Sequence, residues 1–202
     1  MRYLALGDSY TIGELVPTAE NFPHQVCERM RVSYPDFELA NLIATTGWTT
    51  DELAVALEKN RPDLTYDWVT LLIGVNNQYR GRDPEEYRWQ FYSLLCQSIL
   101  YAGGRPQRTI VLSIPDWGLT PFNKERDVVI TSSEIDQYNA INANTSDAMG
   151  VHYLDVTTSS RHHAKTEEYL APDLLHYSGK EYGLWADLVY NCMQQQLTKE
   201  AK

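Results

Sequence analysis

Tyr3-Leu4-Ala5-Leu6-Gly7-Asp8-Ser9-Tyr10 opens the chain with a short apolar run that ends in a turn. The run has the length of a strand and no polar alternation, the pattern of a strand covered on both faces. Working outward, similar runs return at residues 37–43, 68–73, 109–114 and 151–156. Helical patterns fill the intervals. Asp83-Pro84-Glu85-Glu86 supplies an N-cap, a proline at the first helical position and an N3 carboxylate, and Tyr87, Phe91, Leu94, Leu95 and Ile99 follow at helical spacing. Thr49 with Glu52, Thr131 with Glu134, and Ser178 with Glu181 each have the spacing of a capping box. Behind the last of these runs a stripe of Leu184, Trp185, Leu188, Val189, Cys192, Met193 and Leu197. An earlier helix is expected over Phe22–Arg31, carrying Val26, Cys27 and Met30.

Five strands separated by helices imply parallel pairing through right-handed crossovers, hence a three-layer α/β sandwich. The 202 residues fit one domain, and no stretch reads as a linker or a repeat. In open sheets of this kind sites form at the carboxyl ends of the strands. That rule directs attention to residues 7–9, 45–48, 74–77, 115–120 and 155–158, with 173–176 brought to the same edge by the approach to the final helix.

Composition narrows the partners. A net charge of -10 argues against nucleic acid or an anionic membrane, both of which need clustered Lys and Arg. No stretch approaches the roughly 18 apolar residues of a membrane span. Cys27, Cys96 and Cys192 fall within helical patterns and read as small buried hydrophobes rather than a disulfide framework. With a strand where a leader would stand, a cytoplasmic setting is the expectation, secretion being left open should a leader precede the strand.

Four strand-edge groups suit acyl transfer. Ser9 ends the first strand on a turn, where a hydroxyl can stand beside backbone amides. His176 follows Asp173 by three residues, a spacing that lets a turn aim the carboxylate at the ring and leave the other nitrogen for a serine. Gly47 can present a bare backbone N–H and Asn76 a side-chain amide, the donors a tetrahedral oxyanion requires. Each taken alone is as readily a turn residue, a cap or packing. Their convergence at one edge from separate segments is what favours chemistry.

The same segments resemble the blocks of the SGNH/GDSL hydrolase family. Leu6-Gly7-Asp8-Ser9-Tyr10 is similar to the first block, and residues 41–49, Asn-Leu-Ile-Ala-Thr-Thr-Gly-Trp-Thr, to the second. Gly74-Val75-Asn76-Asn77 resembles the third and Asp173-Leu174-Leu175-His176-Tyr177-Ser178 the fifth. The blocks occur in family order over nearly the whole chain. The resemblance implies a flavodoxin-like SGNH hydrolase fold with strand order 2-1-3-4-5 and a serine esterase acting through an acyl-serine. It makes Ser9 the nucleophile, His176 the base and then acid, and Asp173 its orienting partner. The oxyanion hole would be the Ser9 and Gly47 amides with the Asn76 side chain. No cofactor or metal is implied. The substrate would be a small ester or thioester, such as an acetylated sugar, a lysophospholipid, an acyl-CoA or a short aliphatic ester. Two departures stand out: Asn77 replaces the usual aspartate, and Tyr177 occupies a position where proline is frequent.

Other candidates rank lower. Asp155 is the rival carboxylate for His176. Trp48, Tyr79 and Trp117 follow strand ends as candidate pocket residues, and the 115–124 segment is the candidate pocket loop. His162-His163 lacks a third ligand and reads as a solvated loop rather than a metal site. Asp8 is expected to hold the nucleophile turn. Two non-catalytic alternatives remain on the same scaffold: a nucleotide-binding protein, although no Gly-x-Gly-x-x-Gly or Gly-Lys-Ser/Thr pattern occurs, and a carbohydrate-binding protein, which has no use for a base beside a serine.

Overall fold

The computed structural model describes residues 1–62 and 65–201. Its strands are β1 (Arg2–Gly7), β2 (Glu38–Ala44), β3 (Trp68–Leu72), β4 (Thr109–Leu112) and β5 (His152–Leu154). They form one parallel sheet in the order β2-β1-β3-β4-β5. Helices α1 (Ser9–Ile12), α2 (Phe22–Arg31), α3 (Thr50–Asn60), α4 (Val75–Tyr79), α5 (Pro84–Tyr101), α6 (Val128–Ala148), α7 (Thr157–His163) and α8 (Gly179–Glu200) fill the connections. α2 packs against α8, while α3, α5 and α6 pack side by side, so helices cover the sheet in two layers. This is the doubly wound fold that the alternating pattern implies.

Burial follows position in the sheet. β3 and β4 are buried throughout, whereas β2, an edge strand, leaves Glu38 and Asn41 to solvent. The chain changes winding direction between β1 and β3, which places a crevice beyond their carboxyl ends. Close packing there depends on Gly7: a Cβ would collide with the Thr11 side chain and the Leu72 carbonyl.

Two of the capping boxes expected from the sequence do not form. α6 begins three residues before Thr131, because Asp127 accepts the Ile130 amide at 3.0 Å as the N-cap; the Thr131 hydroxyl instead donates back to the Asp127 carbonyl. α8 does begin after Ser178, but the box does not close. Ser178 donates its hydroxyl to the Glu168 carbonyl, and Glu181 turns inward, fully buried, to accept from Trp185 Nε1 at 2.9 Å. Glu52, by contrast, accepts the Thr49 amide at 2.8 Å as its box requires.

His162-His163 is not a solvated loop. It ends α7, and while His162 is exposed, His163 stacks on Tyr169 with ring centroids 3.8 Å apart and places Nδ1 2.7 Å from Glu181. The three cysteines are free, Cys27 buried and the other two half-buried. Among the described residues, no helix is long and apolar enough to cross a membrane.

Candidate active site

Ser9 occupies the first position of α1, where backbone N–H groups have no intrahelical acceptor. Asp8 caps that turn through Oδ1, which accepts the Tyr10 amide at 3.0 Å. Its carboxyl is wholly enclosed, and burial pushes it up to about 7 against the lowering effect of that hydrogen bond. Ser9 itself is only 4% exposed.

His176 arrives from the far end of the sequence. Its Nε2 lies 2.9 Å from Ser9 Oγ, and its Nδ1 lies 2.6 Å from Asp173 Oδ2. The second oxygen of Asp173 accepts the amides of Leu175 at 3.1 Å and His176 at 3.0 Å, a local turn that folds the carboxylate back onto the ring. Leu174 stands at the tip of that turn with φ 59°, an uncommon conformation for a residue with a Cβ. Burial alone would raise the Asp173 carboxyl, but the bonds from His176 and Leu175 outweigh it and hold the group below its ordinary range. Asp155, the rival carboxylate, is engaged elsewhere: it accepts the Thr158 amide at 3.1 Å and the Thr158 hydroxyl at 2.5 Å.

Asn76 stands in the first turn after β3 and donates one amide hydrogen to the Trp48 carbonyl at 3.0 Å. An amide nitrogen carries two hydrogens, and this bond uses one of them. Gly47 sits in the 45–48 turn, where the Trp48 amide reaches the Thr45 carbonyl at 3.2 Å and Gly47 takes φ 85°, the sign a type II turn demands of its third residue.

Ser9, Asn76 and His176 meet in a cavity of about 200 Å³ whose remaining lining is Tyr10, Val75, Tyr79, Trp117, Phe122 and Leu175. The hydrogen-bonded chain Asp173–His176–Ser9, the Asn76 side chain and a small apolar chamber thus share one strand edge, while Gly47 is not among the residues that line the chamber.

Residues 5–184 match the GDSL-like Lipase/Acylhydrolase family. The chain belongs to that family. Membership makes it a carboxylic ester hydrolase. The fold is similar to that of the psychrotrophic esterase EstA from Pseudoalteromonas sp. (TM-score 0.69, 17% identity, 98% of each chain covered). It is also similar to the acetyl xylan esterase AlAXEase, at TM-score 0.74 and 15% identity over 95% of this chain and 98% of that one. A lipase/acylhydrolase from Enterococcus faecalis gives TM-score 0.68 and 22% identity over 94% and 93% of the two chains. No curated protein matches in sequence.

Within this GDSL hydrolase both departures from the block pattern have a physical account. Asn77 is buried, accepts the Thr50 amide at 3.1 Å and donates to the Thr50 hydroxyl at 2.7 Å, which in turn donates to Gln90. An ionised aspartate could accept but not donate, so the Thr50 hydroxyl would have to turn from Gln90 to meet it. Tyr177 fills its space with a fully buried ring, 6.0 Å from Tyr10 and 5.5 Å from Trp185.

Of the three aromatic pocket candidates, Tyr79 and Trp117 line the chamber and Trp48 does not. Trp48 faces a separate hollow beside α3 with Asp51 and Val55. Trp117 is fixed: its Nε1 donates to Gln78 at 2.8 Å, and Gln78 donates to Glu134 at 2.6 Å. Sequence reasoning did not single out Tyr10, Val75, Phe122 or Leu175 as lining. Phe122 lies within the 115–124 segment read as a pocket loop, and the other three neighbour Ser9, Asn76 and His176, so adjacency was the available signal. Among the described residues, no three His, Cys, Asp or Glu side chains converge on a metal-sized site.

Proposed function

We propose that this GDSL hydrolase cleaves short-acyl carboxylic esters through an acyl-serine on Ser9. The observation that carries the reading is the hydrogen-bonded relay from Asp173 through His176 to Ser9, opening into a chamber of about 200 Å³. That volume lies below the roughly 300–1,000 Å³ of sites for drug-sized ligands, which suits a small acyl group.

The residues divide the work as follows. Ser9 Oγ attacks the ester carbonyl carbon while His176 Nε2 takes its proton, and Asp173 holds the ring tautomer and stabilises the imidazolium. The oxyanion is received by the Ser9 amide, the Gly47 amide and the second amide hydrogen of Asn76. In acyl-transfer enzymes one such donor accounts for about 3 kcal/mol of transition-state stabilisation. The intermediate collapses as His176 returns the proton to the departing alkoxide, releasing the alcohol. Water then attacks the acyl-serine with His176 again as base, yielding the carboxylic acid and free Ser9. The alcohol half remains outside the chamber. Acetylated sugars fit this division, and one structural neighbour is an acetyl xylan esterase.

A series of p-nitrophenyl esters from acetate to decanoate tests the acyl preference. The expected outcome is kcat/KM highest for acetate or butyrate and falling steadily with length. Higher specificity for decanoate than for acetate overturns the short-acyl assignment.

A further inference from the structure

Tyr79, Trp117 and Phe122 line two hollows at once, the Ser9 chamber and a second space of about 240 Å³ whose other lining is the polar residues of the 123–126 segment. The three rings therefore form a partition between two spaces. Trp117, 2% exposed and bonded to Gln78, is its fixed member. Tyr79 and Phe122 are 42% and 41% exposed, and each meets Trp117 edge-on, at 5.2 and 6.3 Å between centroids.

One side chain fastens this partition from outside. The Arg126 guanidinium lies 4.6 Å from the Tyr79 ring centroid and 5.3 Å from that of Trp117, and it donates to the Tyr79 carbonyl at 2.7 Å. Its own backbone is tied to the loop by Asn123, whose Oδ1 accepts the Arg126 amide at 3.0 Å and whose Nδ2 donates to the Gly118 carbonyl at 2.9 Å. Such a planar cation can stack and donate at once, which a lysine does less well.

We propose that Arg126 is a specificity-determining positioning residue that keeps the acyl chamber short by latching the Tyr79–Trp117–Phe122 partition. Two effects act in the same direction. The latch holds Tyr79 where a longer chain would pass, and a hydrocarbon entering the second hollow would strip water from the guanidinium without replacing its hydrogen bonds. Specificity of this kind comes from rejecting the wrong substrate as much as from holding the right one. The inference rests on the esterase reading above.

The test compares kcat/KM for p-nitrophenyl octanoate and p-nitrophenyl acetate in wild type, Arg126→Ala and Phe122→Ala. Removing the latch or one ring of the partition is expected to raise the octanoate-to-acetate ratio about tenfold or more, the scale of a methylene or two in an apolar pocket. A general loosening of the fold would depress both esters alike and leave the ratio where it was. Folded variants whose ratio stays within about twofold of wild type overturn the proposal, while short-ester hydrolysis in wild type keeps the esterase reading intact. If Arg126→Ala does not fold, Arg126→Lys, which keeps the charge but loses the planar stack and fork, decides by the same ratio. A wild type that cleaves neither ester overturns the esterase reading, and the latch falls with it.

Discussion

The two walls of the chamber are built on different principles. On one side Ser9 and His176 are 4% and 7% exposed, pinned by a helix cap, a carboxylate and a packed tyrosine. On the other side Tyr79 and Phe122 are each more than 40% exposed and held by ring contacts and a surface arginine. Proton transfer tolerates little misplacement, which suits the buried, hydrogen-bonded positions of the two groups proposed to react. Substrate shape can be tuned on a loop at little cost to the core. On the proposed mechanism, the contrast puts the reaction on the rigid fold and leaves the substrate to a replaceable surface.

The largest effect should come from the buried wall. His176→Ala is expected to lower kcat for a short p-nitrophenyl ester about a million-fold, with the fold unchanged by circular dichroism. Retention of a tenth of the activity would remove the reason for calling that wall the reactive one.

A second, pH-dependent effect sharpens the account of how Ser9 is held. The Asp8 carboxyl is raised to about 7 by burial, against about 3.9 for an ordinary aspartate. Between those values the unfolded chain has released this proton and the native protein retains it, so Asp8 costs stability as pH rises, and the cost is complete above about 7. Asp8→Asn keeps an acceptor for the cap and has no proton to lose. Its stability relative to wild type should therefore climb between about pH 4 and 7, by on the order of a few kcal/mol, and then level off. Denaturant unfolding across that range measures it; a difference independent of pH would show that the enclosure of Asp8 imposes no such cost.

The smallest effect belongs to the exposed wall. Tyr79→Phe keeps the ring and removes only the hydroxyl, and is expected to leave kcat/KM within about twofold, as for a surface change that breaks no buried contact. A hundredfold loss would make Tyr79 part of the chemistry and erase the contrast between the walls.

The buried wall is also the part that the sequence spelled out. Strand periodicity, the Gly7 turn and the three-residue step from Asp173 to His176 are local signals, and local geometry carries them into place. Strand order is not local, and its legibility came through the family resemblance. The exposed wall was legible in part: Tyr79 was named from its place after a strand end and Phe122 only within the 115–124 segment, because nothing in the sequence says which face a loop aromatic will take. Trp48 thus pairs with a hollow beside α3, while Phe122, with a weaker signal, reaches the chamber. Glu181 shows the same limit: its spacing from Ser178 fits a capping box, but burial beside Ser159, His163 and Trp185 offers the carboxylate better partners. At α6 two capping residues competed, and Asp127 took the start despite the exposed Val128, Val129 and Ile130 that follow it.

The most direct test of the central claim is intact-mass labelling with a fluorophosphonate, which reacts with activated serines. Wild type is expected to gain a single adduct, and Ser9→Ala to gain none under the same conditions. A folded wild type that stays unlabelled, or a Ser9→Ala variant that labels as fully as wild type, would contradict Ser9 as the activated nucleophile.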